Sequence, residues 1–248
     1  MPAEKGTGIV IRAVDFSETS QIVTLFTREH GKLSGIAKGG RRPKGSFESA
    51  LDLLALVRIV FLRKSSDALD LLTEAKLLRR FRPFGRDLFG LYVGYYVAEL
   101  LDALTEDYHP NGPLFDLAEE TLALLADGEE PRRLLARFEL QLLFHLGLAP
   151  SLEQCADCGA AVAATGKTAL GLLDGGVLCD RCKQGKRHVA VVHGGTLRTM
   201  RQLIDTQSGA WRRVRIDART QGEIRGVLNR YMSHLLGRRP RLLPYLRG

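Results

Sequence analysis

Two cysteine pairs constrain this chain more than any other feature: Cys155-x-x-Cys158 and Cys179-x-x-Cys182, within CADCGAAVAATGKTALGLLDGGVLCDRC (155–182). A Cys-x-x-Cys turn presents two thiolates to one ion, and two such turns complete a tetrahedral shell. All four cysteines of the chain lie here, which favours metal ligation in a reducing compartment over a disulfide framework. The expected ion is zinc, structural because four protein ligands leave no open position, and the expected location is the cytoplasm. The same stretch contains AVAATGKT (161–168), close to a phosphate-binding loop, with Gly166, Lys167 and Thr168 in place. Such a loop works only where it opens a helix. Here ALGLLDGG follows, broken by glycines and Asp174, so Thr165-Gly166 reads as a hairpin turn between two strands of a zinc ribbon. His188 and His193 follow a shell that is already full and read as surface residues.

The flanking sequence divides by period. In residues 1–80, GIVIRAV, QIVTLFT, KLSGIAKG, LLALVRIVFLR and ALDLLTEAKLL are short runs separated by turn signals. That count fits a five-stranded oligonucleotide-binding (OB) barrel or another small barrel or sandwich. The leucine spacing of ALDLLTEAKLL also suits a helix. Residues 81–150 read as helical: DLFGLYVGYYVAELLDAL is apolar nearly all round, and Pro131 and Gly147 mark the start and stop of PRRLLARFELQLLFHLG. Helical pattern returns over 191–248, where Thr220 and Glu223 have capping-box spacing. The expectation is an α+β chain in three parts: a barrel (1–80), a helical domain (81–150, continued by 191–248) and a zinc module (151–190). MPAEKGTG has no apolar core of a signal peptide, and LLALVRIVFL, interrupted by Arg58, is too short to span a bilayer.

Charge points to the partner. The net charge of +8 comes from 14 Lys/Arg against 9 Asp/Glu in residues 1–80, 5 against 12 in 81–150, 5 against 4 in 151–190 and 12 against 3 in 191–248. Two basic ends around an acidic middle suit a polyanion. GKLSGIAKGGRRPKGS (31–46) sets Lys32, Lys38, Arg41, Arg42 and Lys44 among glycines, which lets backbone approach phosphates closely; a solvated loop is the plainer reading. Trp211-Arg212-Arg213-Val214-Arg215 is either a second phosphate-binding and stacking site or a strand with Trp211 in the core. RRPRLLPYLRG reads as a mobile tail. No nucleophile, acid/base pair or metalloprotease helix stands out, so no enzyme is expected.

These residues resemble one family over nearly the whole chain. GIVIRAVDFSETSQIVTLFTREHGKLSGIAKGGRR, LLTEAKLL, YYVAELLDAL, RFELQLLFHLGLAP and CADCG…GGVLCDRC are similar to the RecO family of recombination-repair mediators. The resemblance implies an N-terminal OB fold, a helical domain and a zinc module. It implies a protein that binds single- and double-stranded DNA, anneals complementary strands and acts with RecR to load RecA onto strands coated by single-stranded-DNA-binding protein. Carried onto this chain, DNA contact falls on Lys32, Lys38, Arg41, Arg42 and Lys44, and zinc on Cys155, Cys158, Cys179 and Cys182. Arg212, Arg213 and Arg215 are added on charge alone. Arg132, Arg133 and Arg137 are a candidate dock for the acidic tail of the single-strand-binding protein. The rival readings are a zinc-ribbon and OB-fold RNA-binding protein, a zinc enzyme with an open coordination position, and a pure scaffold.

Overall fold

The computed structural model describes residues 3–40, 47, 50–64 and 68–246. It divides into two compact units, residues 1–129 with 244–248, and residues 130–243. The first unit holds strands β1 (Ala3–Asp15), β2 (Gln21–Thr27), β3 (Gly31–Ala37), β4 (Leu56–Leu62) and β5 (Asp70–Arg79). Their order, β1-β2-β3-β5-β4, closes into a barrel because β1 pairs antiparallel with both β2 and β4. β1 is long enough to serve both: Gly8–Asp15 lie beside β2 and Ala3–Ile9 beside β4. A register shift between Val10 and Arg12 accompanies the change of partner. β3 joins β5 in parallel over Gly35–Ala37 and Asp70–Leu72.

Alternating residues turn Val10, Val23, Leu25, Leu33, Val57, Ile59, Phe61 and Leu72 into the barrel interior. ALDLLTEAKLL, ambiguous by leucine spacing, is strand: Ile59↔Ala75 and Phe61↔Leu72 fix it beside β4. Closing the ring needs a partner for both β3 and β4, and that tertiary demand overrides the local helical pattern.

Helices α1 (Leu88–Leu104) and α2 (Gly112–Ala126) belong to this unit. Each has a side-chain cap, Asp87 accepting from Phe89 N–H and Asn111 from Leu114 N–H, both at 3.0 Å. Arg28 pairs with Asp116, Arg79 with Glu119 at 3.2 Å, and the Phe26 and Phe115 rings sit 6.3 Å apart. These ties fasten α2 to the barrel, and Lys32 Nζ, donating to Asp102 C=O at 2.8 Å, fastens α1, so the compact units cut across the expected division at residue 80. The tail also differs from expectation: its last described residues form a 3-10 turn, Leu243–Leu246, with Leu246 buried and Tyr245 against Tyr92 at 4.9 Å.

The loop between α1 and α2 enters the barrel unit through Tyr108. Its N–H donates to Lys32 C=O at 2.8 Å, its ring packs on the barrel core under Arg63 at 3.9 Å, and its hydroxyl donates to buried Asp70. Burial, then the Asp70 hydrogen bond, pushes the Tyr108 pKa well above the usual tyrosine value. The close approach requires glycine at 31: its φ is +72°, and a Cβ there would meet the His109 carbonyl oxygen at 2.3 Å.

The second unit begins with α3 (Pro131–His145), capped by Glu130, which accepts from the N–H groups of Arg132 and Arg133 at 3.0 and 2.7 Å. Strands β6 (Lys167–Gly171), β7 (Gly176–Leu178) and β8 (Val189–His193) form a sheet in the order β7-β6-β8. Both partners of β6 follow it in the chain, so Thr165-Gly166 only leads into β6, and the hairpin turn is Leu172–Gly175. Then come α4 (Gly194–Ile204), a 3-10 turn (Ala210–Arg213) and α5 (Ala218–Leu235).

The expected capping box of α5 does not form. Asp217 caps the helix, accepting from Thr220 N–H at 2.7 Å. Glu223 instead reaches the start of α4, which has no side-chain cap of its own. It accepts from His193 N–H at 2.8 Å and Thr196 Oγ1 at 2.5 Å, and bonds the His193 ring. Burial opposes its charge, but the donors on Thr196 and His193 hold its pKa below the usual glutamate value. Between α3 and α5, fully buried Glu139 pairs with Arg225, which also bonds Asn229.

Two substitutions test these anchors by urea denaturation. Tyr108→Phe, which leaves buried Asp70 short of a donor, should cost about 1–3 kcal/mol. Glu139→Ala, which strips a buried guanidinium of its counter-charge, should cost about 3–5 kcal/mol. A loss below 0.5 kcal/mol for either, on the order of an ordinary surface change, would remove its anchoring role.

Candidate metal centre and basic surfaces

The four sulfurs converge. Those of Cys155, Cys158, Cys179 and Cys182 all lie within 4.8 Å of one another, and Cys158 Sγ is 3.8 Å from Cys179 Sγ. A tetrahedron of metal–sulfur bonds of about 2.3 Å has edges of about 3.8 Å, so the spacing fits a single soft ion. All four cysteines are free thiols. The first turn is closed by Cys155 N–H to Ala160 C=O at 2.7 Å and by Gly159 N–H to Cys155 C=O at 2.8 Å, with Gly159 at φ +74°.

The electrostatics of this set call for a cation. The Cys179 N–H, 3.4 Å from Cys155 Sγ, and then the Cys158 N–H favour the Cys155 thiolate and lower its pKa to about 6. The Cys182 thiol, facing the sulfurs of Cys179 and then Cys158, is pushed up to about 12. Crowded thiolates resist sharing negative charge, and a divalent ion relieves that repulsion. The Arg181 guanidinium beside Cys158 and Cys182 has its own pKa raised by them. Lys186, just after the second cysteine pair, pairs with Asp157 of the first turn at 3.4 Å and with Asp174 of the β6–β7 turn at 2.6 Å.

The AVAATGKT segment has a structural role here. Lys167 opens strand β6, where a phosphate loop would need a helix. The loop before it is held by α4: Arg198 donates to Ala164 C=O at 2.6 Å, and Arg201 to Leu152 C=O at 2.9 Å and Val162 C=O at 3.2 Å. These two arginines were not singled out from the sequence, although their i, i+3 spacing puts them on one helical face. His188 is exposed as expected, whereas His193 is half-buried against Glu223.

The basic residues fall into distinct environments. Lys32 is drawn inward, its Nζ donating to Asp102 C=O at 2.8 Å and pairing with Asp107 at 3.5 Å. Lys38 is exposed. Arg41, Arg42 and Lys44 lie outside the described residues. Trp211 is buried in the 3-10 turn, not a strand, with Arg137 at 4.1 Å and Arg212 at 4.8 Å from its ring. It therefore offers no free face to a base, while Arg212, Arg213 and Arg215 are exposed. The candidate dock on α3 is largely used internally: Arg137 is buried on Trp211, and Arg133 donates to the carbonyls of Arg212 and Val214 at 3.3 Å. Arg132 alone of the three is exposed.

Counted by compact unit, the charge is lopsided. Residues 1–129 with 244–248 hold 17 Lys/Arg against 19 Asp/Glu, whereas residues 130–243 hold 19 against 9. Most of those nine carboxylates are already engaged: Glu130 and Asp217 cap helices, Glu139 pairs with Arg225, Glu223 holds the start of α4, and Asp157, Asp174 and Asp180 pair with lysines. The basic excess of this unit is thus displayed on its surface.

Two substitutions separate brace from active loop. Cys158→Ser should lower both the metal-to-protein ratio, measured by elemental analysis, and the Tm, because binding energy is folding energy in such a site. Lys167→Ala should leave both unchanged. A metal ratio unaffected by Cys158→Ser would remove the centre.

Comparison with known proteins finds relatives along nearly the whole chain. The family profile described as recombination protein O N terminal matches residues 1–81, and that described as recombination protein O C terminal matches residues 85–244. Proteins called DNA repair protein RecO align over almost the full chain. That of Rhodopirellula baltica is 38% identical, covering 96% of this chain and 97% of its own length. That of Symbiobacterium thermophilum is 35% identical over 95% and 92%, and that of Moorella thermoacetica 32% over 94% and 86%. With both profiles matched in order on one polypeptide, the chain belongs to the RecO family.

Proposed function

We propose that this chain is a DNA-binding recombination mediator in DNA repair. The reading is carried by the match of both family profiles to one chain, together covering residues 1–81 and 85–244. The closed order β1-β2-β3-β5-β4, with β3 and β5 parallel, supports assignment of the barrel as an OB fold. The surplus of 19 Lys/Arg over 9 Asp/Glu in residues 130–243 supports a polyanionic partner. The cysteine set is assigned to structural zinc, held by Cys155, Cys158, Cys179 and Cys182, which when bound braces the module through its four thiolate bonds.

The proposed mechanism is charge neutralisation. Two single strands repel each other, and arginines on one small protein hold both while base pairing supplies the free energy. No covalent step or nucleotide hydrolysis is required, so the protein is read as a non-enzyme. With RecR it would help load RecA onto strands coated by single-stranded-DNA-binding protein, working in the bacterial cytoplasm at the nucleoid. No helix among the described residues is long and apolar enough to cross a membrane. DNA contact is assigned to Arg212, Arg213 and Arg215 and to the exposed Lys38 with Arg41, Arg42 and Lys44. Lys32 is left to structure by its internal bonds.

The test is annealing of complementary strands by charge-reversed protein. Replacing Arg212, Arg213 and Arg215 with Glu should slow annealing at least tenfold and weaken single-strand binding at matched salt. Annealing and binding at wild-type levels would contradict the assignment of that cluster. Competition by RNA of equal length should be weaker than by DNA, and stronger competition would favour the RNA-binding reading.

A further inference from the structure

A cleft of about 290 Å³ opens between the end of α4 and the 3-10 turn, lined by Gln202, Ser208, Gly209, Ala210, Arg213 and Val214. Backbone bonds and a buried ring hold its walls. Gly209 at φ +62° starts the turn, Arg212 N–H donates to Gly209 C=O at 3.2 Å, and Val214 N–H to Trp211 C=O at 3.2 Å. Trp211 pins the turn from below, buried against Arg137. Asp205, the nearest carboxylate along the chain, does not line the cleft. It accepts from the N–H groups of Gln207 and Ser208 at 2.9 and 3.3 Å, and the Ser208 hydroxyl, then these N–H groups, hold its pKa below the usual aspartate value and keep it occupied within its own loop.

The chemistry of the lining selects the ligand. Among the described residues no carboxylate lines the space, and Arg213 does, so an anion is favoured over a cation. Only Ala210 and Val214 are apolar, so a hydrophobic group gains little. The exposed Gln202 amide puts a donor and an acceptor side by side, the pattern that pairs with a base edge. The exposed Arg213 guanidinium suits a phosphate or the face of a base. The volume is ample for more than a single ordered water, and the cleft opens to solvent on one side.

We propose that this cleft takes one unpaired nucleotide, its base edge on the Gln202 amide and its phosphate on Arg213. The inference rests on the proposed DNA-binding function and deepens it: the basic surface of this unit discriminates single strands from duplex by capturing an unstacked nucleotide. Arg212 and Arg215 flank the cleft in sequence and hold the neighbouring phosphates.

Trp211, the sole tryptophan of the chain, reports on the turn. Intact protein is titrated with a single-stranded oligonucleotide, its duplex and free dAMP, reading Trp emission and, for the two DNAs, anisotropy of an end label. Emission should shift with single strand and not with duplex. In Gln202→Ala and Arg213→Gln the ratio of single- to double-strand affinity should fall about tenfold, on the scale of one lost bidentate contact. An unchanged ratio in both variants overturns the cleft while leaving DNA binding intact, and DNA binding absent from wild type removes the function and the cleft together. Saturation by free dAMP at micromolar concentration, with the same emission shift, overturns the assignment to a strand.

Discussion

The convergence of four sulfurs is the constraint on which the second unit turns. Cysteines 21 residues apart are brought to 3.8 Å, and everything between them must accommodate that closure. β6 and β7 form the hairpin that returns the chain, Lys186, just after the second cysteine pair, reaches Asp157 in the first cysteine turn and Asp174 in the hairpin turn, and Arg198 and Arg201 fasten the intervening loop to α4. The centre sits in a unit whose surface is strongly basic, and such a unit repels itself electrostatically. The buried Glu139–Arg225 pair and the Glu223 clamp on α4 offset that repulsion without using up the exposed arginines, and an ion held by the four thiolates would add to them.

The barrel unit solves a different problem. Its ring closes through one long strand, β1, that serves two partners, and Tyr108 packs onto its core from the α1–α2 loop. Four of its described cations meet acids: Arg28 with Asp116, Lys32 with Asp107, Arg79 with Glu119 and Arg80 with Asp52. The two units therefore differ in net charge, one balanced at 17 Lys/Arg against 19 Asp/Glu and one basic at 19 against 9.

Features carried by local spacing were legible in the sequence: the cysteine pairs, the helix starts at Asp87 and Pro131 and the stop at Gly147. Features set by distant partners were not. Thr220 and Glu223 have the spacing of a local cap, yet Glu223 serves a helix 27 residues away through Thr196. Arg137 reads as a surface cation until Trp211, far along the chain, covers it. Lys32 sits in a glycine-rich basic run, but its amine belongs to the α1 C-terminus. A strand partner decided ALDLLTEAKLL, and no periodicity within it could have. The Gln202 cleft joins a helix end to a later turn and leaves no spacing signature at all.

The central claim is that a displayed basic surface holds DNA by neutralising its phosphates. The most direct measurement is the affinity of the intact protein for a single-stranded oligonucleotide as salt is raised. The account predicts that log K falls linearly with log salt, by about 0.7 for each phosphate neutralised, giving a slope of roughly −2 or steeper. An affinity that does not change with salt, or no binding at low salt, would contradict it.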